Sequence, residues 1–411
     1  MKKRVLVAMS GGVDSSVAAV LLQEAGYECV GVTMRLYENE LVAHSGHTCC
    51  SLDDVEDARH VAHTLGMEYY VFDFSPAFEE KVIRKFVRYY ERGWTPNPCV
   101  DCNRYLKFDH LLQRARELDC EAVATGHYAR VTKENGVYRL LRGVDTHKDQ
   151  SYALYSFDQE TLSHTLLPVG EYEKHRVREI AEAHGLINAR KHDSQDICFV
   201  PDGDYVSFLS RYTGKIYPDG DLVDPQGTVL GKHHGAVGYT IGQRRGLGIA
   251  ASEPLYVYDK DMGQNLVRIG TKEHLLADSL LAADWNWIEE VPCEPIRATV
   301  KIRYNAKDQP ATLYVLSSEE ADAIGCGRGE AGEGEIFGAA QQAVAIGSGR
   351  EDVDEKEIPG TAQRSDGRIV RIIFDSPQRA IAPGQAAVAY QGDRVLGGGT
   401  IVQVSSRAAQ Q

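Results

Sequence analysis

The first twenty residues contain an apolar strand pattern, a glycine turn and a helix start in immediate succession. The apolar run Val5–Met9 is followed by Ser10, Gly11 and Gly12, and then by residues 14–16, Asp-Ser-Ser. Adjacent glycines let the backbone turn tightly and approach a ligand, because no Cβ stands in the way, and Asp and Ser are favoured where a helix begins. Free amides at a helix start favour an anion. This stretch therefore predicts an anion-binding loop at the carboxyl end of a first strand.

The residues after the glycines indicate which type of anion-binding loop this is. A Walker A loop requires a Lys followed by Ser or Thr directly after its last glycine, and no Lys follows Gly12. The run Ser10–Ser15, Ser-Gly-Gly-Val-Asp-Ser, resembles the pyrophosphate loop of ATP pyrophosphatases, which cleave ATP into AMP and pyrophosphate and use the AMP to activate an oxygen. The alternative is an ordinary strand-to-helix turn made of small residues.

Strand and helix patterns alternate after this loop. Apolar strand patterns cover Cys29–Met34, Tyr69–Phe74 and Ala122–Thr125, and residues 51–66 have apolar side chains at helical spacing. Such alternation implies a parallel sheet with helices on both faces, and these folds bind ligands at the carboxyl ends of the strands. We therefore expect an α/β fold, a doubly wound parallel-sheet ATP-pyrophosphatase domain, with the glycine loop at its ligand-binding edge.

At 411 residues the chain is too long for one ordinary core, and two or three domains are expected. Short strands and many glycines begin near residue 212, and alternating strand patterns resume at Ile296. We predict a catalytic domain over residues 1–211, a small central linker domain over 212–285, and a C-terminal β-barrel over 286–411 with an acidic insertion near 318–360. The barrel strands are predicted at 297–304, 311–316, 368–374, 385–391 and 394–404.

The net charge of −14 argues at first against a nucleic-acid partner, but the acidic residues are unevenly distributed. Residues 319–357 contain eleven Asp or Glu and three Lys or Arg, a local charge of −8, so the other residues carry only −6. Local basic patches, and not the charge of the whole chain, must therefore indicate whether the partner is a nucleic acid. No apolar run approaches the roughly 18 residues of a membrane span, and the first strand leaves no room for a signal peptide. Nine scattered cysteines do not resemble a secreted disulfide framework. We expect a cytoplasmic protein with no membrane partner.

A basic segment leads directly into a loop that contains two cysteines. Lys81, Arg84, Lys85, Arg88 and Arg92 share one face of a predicted helix. Such a stripe on an acidic protein indicates contact with a phosphate backbone, and the alternative is a solvated helix face.

The loop that follows, Trp94–Asn103, contains two prolines, which predict an extended, stiff path with no helix before about Cys102. Cys99 and Cys102 could serve in redox exchange, in half of a metal site, or as a nucleophile with a helper. A zinc site is disfavoured because the other close pair, Cys49 and Cys50, has the wrong spacing.

Seven motifs in order make nearly the whole chain, apart from the acidic insertion, resemble the tRNA-specific 2-thiouridylase family, which replaces the C2 oxygen of the wobble uridine in certain tRNAs by sulfur. The motifs are the pyrophosphate loop, the Thr-Pro-Asn-Pro segment with Cys102, Gly126–Ala129, Lys148–Gln150, Asp193–Ser194 with Ile197–Phe199, Tyr239–Gly248 and Pro383–Gln385.

The resemblance implies a role for each of several residues. The catalytic residues would be Cys102 and Cys198. ATP, with Mg²⁺ on its phosphates, would be bound by Ala8, Met9, Ser10, Gly11, Gly12, Val13, Asp14, Ser15, Met34 and Gly126. The anticodon stem-loop of tRNA would be bound by Asn97, Pro98, Cys99, His127, Lys148, Asp149, Gln150, Arg303, Tyr304 and Gln385, with residues 97–99 meeting the flipped uridine.

The resemblance also implies a route for the sulfur. ATP would adenylate the uracil C2 oxygen, because a carbonyl oxygen is a very poor leaving group. A persulfide on Cys198, loaded by a donor such as a cysteine desulfurase or a sulfur-carrier protein, would supply a strong nucleophile at neutral pH. Cys102 would attack the persulfide or help to release sulfide, leaving a Cys102–Cys198 disulfide that external thiols reduce.

Three alternatives stay open from the sequence. Some family members carry Asp where this chain has Cys99, and Cys99, Cys102 and Cys198 could instead hold an iron–sulfur cluster. A small-molecule pyrophosphate-loop ligase or amidotransferase, such as an argininosuccinate or GMP synthetase, would have no paired distant cysteines. A purely tRNA-binding protein would leave the ATP loop unexplained.

Overall fold

The structure is a computed structural model that describes residues 2–37, 52–191, 197–317, 320 and 369–406. The interpretations of Cys49 and Cys50, of the Asp193–Ser194 motif and, apart from Glu320, of the acidic insertion lie outside the described residues. Within the ranges that are described, no helix has the length and apolar character needed to cross a membrane.

Strands occur along the whole described chain, and most of the helices lie in its first half. The strands are β1 (Arg4–Ala8), β2 (Glu28–Arg35), β3 (Glu68–Asp73), β4 (Ala122–Ala124), β5 (Ala129–Glu134), β6 (Val137–Arg142), β7 (Thr165–Leu166), β8 (Gly220–Val223), β9 (Val229–His233), β10 (Tyr256–Asp261), β11 (Leu266–Gly270), β12 (Leu276–Trp287), β13 (Ile296–Lys301), β14 (Gln309–Leu316), β15 (Ile369–Arg379), β16 (Ala386–Gln391) and β17 (Arg394–Ser406). The α-helices are α1 (Val13–Glu24), α2 (Leu52–Thr64), α3 (Ser75–Phe78), α4 (Arg84–Glu91), α5 (Pro98–Asp101), α6 (Leu111–Glu117), α7 (Gln159–Ser163), α8 (Lys174–Ala183) and α9 (Tyr205–Thr213). Two π-helical segments, Glu79–Ile83 and Cys102–His110, join α3 to α4 and α5 to α6. Short 3₁₀ turns lie at Ser151–Leu154, Pro168–Glu171, Ala236–Gly238 and Lys272–Leu275.

A parallel sheet of order β3-β2-β1-β4-β7 forms the centre of the catalytic domain. Successive side chains of a strand point to opposite faces, and β1 buries both of its faces. Leu6 packs in the core that contains Phe86 of α4, whereas Val5 and Val7 pack in a second core that contains Val17 of α1. Burial on both faces explains why β1 is a continuous apolar run, and the predicted doubly wound α/β fold is confirmed.

The central part of the chain forms a four-stranded sheet of order β10-β11-β8-β9. Its small core consists mainly of apolar residues that alternate along these strands, among them Leu222, Val257 and Ile269. This sheet agrees with the predicted short strands and frequent glycines in this part of the chain.

The C-terminal strands close into a six-stranded barrel of order β12-β15-β14-β13-β16-β17, in which β12 pairs with β17. The predicted β-barrel is therefore confirmed. Strand β12 begins at Leu276, before the division at 285/286, although the domain divisions themselves stay predictions.

The catalytic domain and the barrel share hydrogen bonds and one sheet. The β5–β6 hairpin turns at Asn135 and Gly136, both with positive φ, and joins the barrel sheet where Leu141 pairs with Arg394. The hydroxyl of Tyr152 donates to the carbonyl of Ala386 at 2.8 Å. The barrel is thus attached directly to the catalytic domain.

One local prediction about the cysteine loop is wrong. A helix begins at Pro98, not near Cys102, because a proline is tolerated in the first helical turn, where its missing N–H has no intrahelical acceptor. Cys102 consequently lies inside a continuous helix over residues 98–117 and is buried.

Candidate active site

The glycine loop lies at the carboxyl end of β1 and is closed by its own hydrogen bonds. The hydroxyl of Ser15 accepts from the amide of Ser10 at 3.2 Å and donates to the carbonyl of Gly12 at 3.1 Å. Gly11 has a φ of +72°, and a Cβ there would lie 2.4 Å from the carbonyl oxygen of Asp54 on α2. Only glycine fits this position, because a side chain would be strained at this φ and would also clash with α2.

The predicted ATP-binding residues outside the loop approach it from neighbouring strands. A Cβ on Gly126, just after β4, would lie 2.6 Å from the amide nitrogen of Ser15. The amide of Met9 donates to Val32 of β2 at 2.8 Å, and Met34 lies half-buried near the end of the same strand. The structure thus brings the predicted nucleotide-binding residues together at the carboxyl ends of β1, β2 and β4.

Asp14, in the first turn of α1, is held by Tyr128 of the Gly126–Ala129 motif and by Lys174, which the sequence did not indicate. The ammonium group of Lys174, at the start of α8, lies 2.7 and 2.8 Å from the two carboxylate oxygens, and the Tyr128 hydroxyl donates to Oδ1 at 2.7 Å. The side chain of Lys174 is 11% exposed and that of Asp14 is 29% exposed. A cation therefore lies beside the helix start. No spacing in the sequence connects residues 160 positions apart, so only the fold reveals this pair.

Asn188 is a second residue that sequence reasoning missed. Its Nδ2 donates to the carbonyl of Gly11 at 3.0 Å and to the hydroxyl of Ser16 at 2.9 Å, and the residue is 3% exposed. Nearby, Lys191 pairs with Asp54 and Asp57, each at 2.6 Å. The segment that precedes the Cys198 region is thereby tied to the glycine loop and to α2.

The three predicted site cysteines differ in exposure. Cys99 is exposed, Cys102 is 7% exposed, and Cys198 is half-buried. Cys102 belongs to the same hydrophobic core against which Cys198 packs, and the Tyr37 hydroxyl donates to the carbonyl of Cys198 at 3.0 Å. Among the residues that the structure describes, no group of three or more His, Cys, Asp or Glu side chains is arranged to hold a metal ion. The iron–sulfur alternative thus gains no support from this geometry.

Two residues of the Lys148–Gln150 motif form hydrogen bonds inside the protein, and Gln150 stabilises the turn after β4. Oε1 of Gln150 accepts from the amide of Tyr128 at 2.9 Å, and the Gln150 amide donates to the Tyr128 carbonyl at 2.8 Å. Asp149 is buried, and its carboxylate accepts from the amide of Gly143 and from the amide and hydroxyl of Ser151. Asp149 therefore lies inside the protein. Lys148 lies next to it and is half-buried.

His127 has a mainly apolar environment. Its Nδ1 lies 2.7 Å from the hydroxyl of Thr125, and its ring packs near Phe108. Burial, together with the nearby Lys107 charge, holds the pKa of His127 well below its ordinary value. The imidazole is therefore neutral at physiological pH and can exchange hydrogen bonds but not charge with a ligand.

Tyr304 lies between β13 and β14 and faces the cysteine loop. Burial raises the pKa of Tyr304 to about 12, with contributions from the negative charge of Asp149 and from Cys99. Its ring is 6.0 Å from that of Tyr152, and the Lys301 ammonium lies 5.5 Å from its centroid. With 37% of its surface exposed, Tyr304 can present a neutral aromatic face to a base beside Cys99.

Arg303 and Gln385 use their donors inside the protein. The guanidinium of Arg303 donates to the carbonyl of Ile241 at 2.9 Å and to that of Ala380. Nε2 of Gln385 donates to the carbonyls of Thr95 and Pro96, which precede the predicted base-contacting residues Asn97–Cys99. Of the predicted tRNA contacts on the barrel, Tyr304 is thus the most accessible.

The residues of the basic stripe differ in exposure, and Lys81 is half-buried and lies 2.9 Å from the carboxylate of Glu80. Arg84, Arg88 and Arg92 are exposed and recur every four residues along one face of the helix. Lys85 instead lies 2.7 Å from the buried carboxylate of Asp101. The exposed arginines can reach a phosphate backbone, whereas Lys85 has a structural partner.

The fold and the loop together define the class of protein. A parallel sheet with helices on both faces, and a Ser-Gly-Gly-Val-Asp-Ser loop between its central strand and the following helix, define a pyrophosphate-loop nucleotide-binding domain. Family models agree: residues 3–202 match a tRNA methyl transferase HUP domain, 206–271 a tRNA methyl transferase PRC-barrel domain, and 353–401 an aminomethyltransferase beta-barrel domain.

Curated relatives identify the family within this class. The chain is 43% identical over 404 residues to tRNA-specific 2-thiouridylase MnmA of Clostridioides difficile strain 630, covering 98% of each chain. It is 47% identical over 406 residues to the protein of the same name in Moorella thermoacetica, covering 97% of this chain and 99% of the relative. The chain belongs to the tRNA-specific 2-thiouridylase family. A solved 4-thiouridine synthetase–RNA complex with bound ATP aligns over 48% of this chain and 45% of that one at 17% identity and a TM-score of 0.32, a likeness too weak to support an inference.

Proposed function

We propose that this chain is an ATP-dependent tRNA-uridine 2-sulfurtransferase that replaces the C2 oxygen of the wobble uridine by sulfur and releases AMP and pyrophosphate. The observation that carries the proposal is the match along 97–98% of the chain to 2-thiouridylases, together with a pyrophosphate loop and separate cysteine-bearing segments on the same fold. A small-molecule ligase of the same class would explain the pyrophosphate loop but not the separate cysteine-bearing segments.

Activation of the wobble uridine requires ATP bound at the glycine loop. The amides at the start of α1 can bind phosphate oxygens, and the glycine at position 126 leaves no Cβ against the amide nitrogen of Ser15. Mg²⁺ prefers oxygen ligands, and the carboxylate of Asp14 and the exposed hydroxyl of Ser10 are oxygen donors at this loop that would hold it. When bound, the ion would neutralise phosphate charge. Lys174 supplies a further positive charge near the leaving pyrophosphate.

Sulfur transfer then follows at the cysteines. The terminal sulfur of a Cys198 persulfide attacks the activated C2, and the adenylated oxygen leaves as AMP. The Cys102 thiolate attacks Sγ of Cys198, so the sulfur–sulfur bond of the persulfide breaks and its electron pair stays on the sulfur bound to the uracil. The product is 2-thiouridine and a Cys102–Cys198 disulfide, which an external thiol reduces. A cysteine desulfurase or sulfur-carrier protein reloads Cys198.

The tRNA contacts of this proposal centre on the exposed part of the cysteine loop. Of Asn97–Cys99, which would receive the flipped uridine, Cys99 is exposed, Asn97 is half-buried and Pro98 is buried. Tyr304 offers a face for stacking, and Arg84 and Arg88 bind the backbone. Gln150 acts indirectly, since it holds the turn that carries His127, and Asp149 is buried and holds Gly143 and Ser151.

The test compares three single replacements under anaerobic conditions, with 2-thiouridine measured by mass spectrometry of digested tRNA. Cys102→Ser and Cys198→Ser are expected to abolish product, and Cys99→Ser is expected to retain most of it, because Cys99 takes no part in the sulfur–sulfur exchange. Pyrophosphate release by all three variants controls for intact ATP chemistry. A Cys99→Ser enzyme as inactive as the other two, with iron and labile sulfide in the wild-type protein alone, would replace the persulfide route by a cluster.

A further inference from the structure

The Tyr239–Gly248 motif forms a glycine-rich loop in the central part of the chain, and the proposed chemistry assigns it no role. Three of its glycines have positive φ, from +66° to +88°, a backbone path that favours glycine. Arg244 and Arg245 lie between the first two of these glycines and are exposed. Glu253 is the only acidic residue between positions 239 and 256. The loop therefore carries two adjacent guanidinium groups in a stretch of the chain with little negative charge.

Hydrogen bonds hold this loop in one shape. The amide of Gly242 donates to the carbonyl of Val257 at 2.7 Å, and the amide of Val257 donates to the carbonyl of Gln243 at 3.0 Å. The side chain of Gln243 accepts from the amide of Thr240 and donates to the carbonyl of Arg245, each at 3.1 Å. The arginine side chains thus extend from a backbone that is already ordered, which lowers the entropy cost of binding a ligand.

The loop is attached to the barrel at Arg303, which precedes Tyr304; both are predicted tRNA contacts. The guanidinium of Arg303 donates to the carbonyl of Ile241 at 2.9 Å. A Cβ on Gly242 would lie 2.8 Å from the Cβ of Ala380, directly after β15, so the close approach of the loop to the barrel depends on a glycine. The loop is therefore a neighbour of the barrel residues that are proposed to meet the RNA.

A third exposed arginine, Arg379, lies on the same side of the barrel, at the end of β15. Its guanidinium is 4.3 Å from the ring centroid of Tyr256, the first residue of β10. Within the part of the chain that the structure describes, none of the three exposed arginines forms an ion pair, whereas Arg268 of β11 contacts Asp259 at 3.3 Å. Exposed guanidinium groups without a carboxylate partner favour an anionic ligand.

We propose that Arg244, Arg245 and Arg379 form a binding surface for the sugar-phosphate backbone of the tRNA, which we call the central arginine surface. A guanidinium presents two parallel donors that match two phosphate oxygens. The contact is independent of nucleotide sequence and holds the RNA against the barrel, separately from the basic stripe. It rests on the proposed function, because it takes tRNA as the anionic ligand.

Paired replacements test the charges of the loop. Arg244→Gln with Arg245→Gln removes two charges, and Arg244→Lys with Arg245→Lys keeps the charges but removes the planar donors. The matched control is Arg268→Gln with Lys232→Gln, which removes two charges from the same sheet at positions that already have carboxylate partners. Thermal melting verifies that each variant folds, and Arg379→Gln decides if the loop variant does not.

The readout is filter binding of full-length tRNA at several salt concentrations, without ATP. The Gln variant is expected to weaken binding roughly tenfold at low salt and to reduce the slope of log affinity against log salt by about 1–2, since each lost phosphate contact removes about 0.7–0.9. The Lys variant keeps the slope, and the control matches wild type. An isolated anticodon stem-loop locates the contact: an equal loss of affinity places it on the stem-loop, and a loss with full-length tRNA alone places it elsewhere on the tRNA.

Two results would overturn the inference. One is an unchanged slope and affinity in the Gln variant, and the other is a control that loses as much affinity as the Gln variant. Binding needs no turnover, so the two proposals fail separately. A chain that binds tRNA through these arginines but makes no 2-thiouridine would refute the proposed function alone, and a chain that thiolates tRNA with an unchanged slope would refute the central arginine surface alone.

Discussion

Replacing Lys85 by Met is expected to destabilise the fold and to leave RNA binding nearly unchanged. Lys85 Nζ lies 2.7 Å from Oδ1 of Asp101, and the two side chains are only 21% and 7% exposed. Burial lowers the pKa of Lys85, but the charge of Asp101 and the neighbouring Tyr89 more than offset that effect, so the pKa lies above its ordinary value. The lysine is therefore charged at every pH of interest and is the counter-ion of a buried carboxylate.

The size of the destabilisation depends on the carboxylate of Asp101, which remains buried without its counter-ion. Removing one partner of a buried ion pair costs about 3–5 kcal/mol, because the other charge is left without compensation. Methionine fills most of the space of the lysine stem, so little cavity cost is added, and the partial exposure of Lys85 favours the lower end of this range. Adding Asp101→Asn to Lys85→Met removes the unpaired charge and is expected to recover about half of the loss.

The assay is urea unfolding followed by tryptophan fluorescence and circular dichroism. Arg84→Met is the matched control, since Arg84 belongs to the same helix but its side chain is 65% exposed and its contact with Glu79 is 3.4 Å long. The control is expected to change the free energy of unfolding by less than about 0.5 kcal/mol. The reasoning fails if Lys85→Met is as stable as Arg84→Met, or if the added Asp101→Asn lowers stability further.

Two further predictions concern the RNA and the nucleotide. Arg84→Gln with Arg88→Gln is expected to weaken tRNA binding and to flatten the slope of log affinity against log salt by roughly 1–2, about 0.7–0.9 for each lost phosphate contact; filter binding at several salt concentrations measures this, and an unchanged slope would make the stripe a solvated face. Asp14→Ala is expected to abolish tRNA-dependent pyrophosphate release with the fold intact, and Lys174→Ala to raise the KM for ATP about tenfold; a normal pyrophosphate yield from Asp14→Ala would exclude ATP chemistry at this loop.

The local elements of this chain could be predicted because their causes are local. The β1 strand, the turn at Gly11 and the helix after it depend on apolar runs, glycine conformations and helix-initiating side chains that are neighbours in the chain. The turn of the β5–β6 hairpin likewise depends on neighbouring residues, since Asn135 and Gly136 both tolerate the positive φ that it requires. The five predicted barrel strands lie within about five residues of their observed positions, since alternation in the sequence reflects one buried face, whereas the sixth, β12, was not predicted.

The helix that begins at Pro98 could not be predicted from local patterns in the sequence. A proline argues against a helix interior but favours a first turn, and the sequence does not state which position Pro98 occupies. Tertiary contacts stabilise the helical form, in which Asp101 accepts from Lys85 and Asn103 donates to the carbonyl of Ala153. Burial of Cys102 follows from the same arrangement.

The fold class, the nucleotide loop and the family could all be read from the amino-acid sequence, because each depends on short patterns or on similarity along the whole chain. Which polar residues face outward depends instead on tertiary packing. Lys85, Asp149 and Gln385 are of types that bind RNA on a surface, yet each has its partner inside the protein. The Asp14–Lys174 pair likewise joins residues that are distant in sequence. The side-chain type sets what a residue can bind, but the packing of the surrounding chain determines whether the protein or a ligand provides the partner.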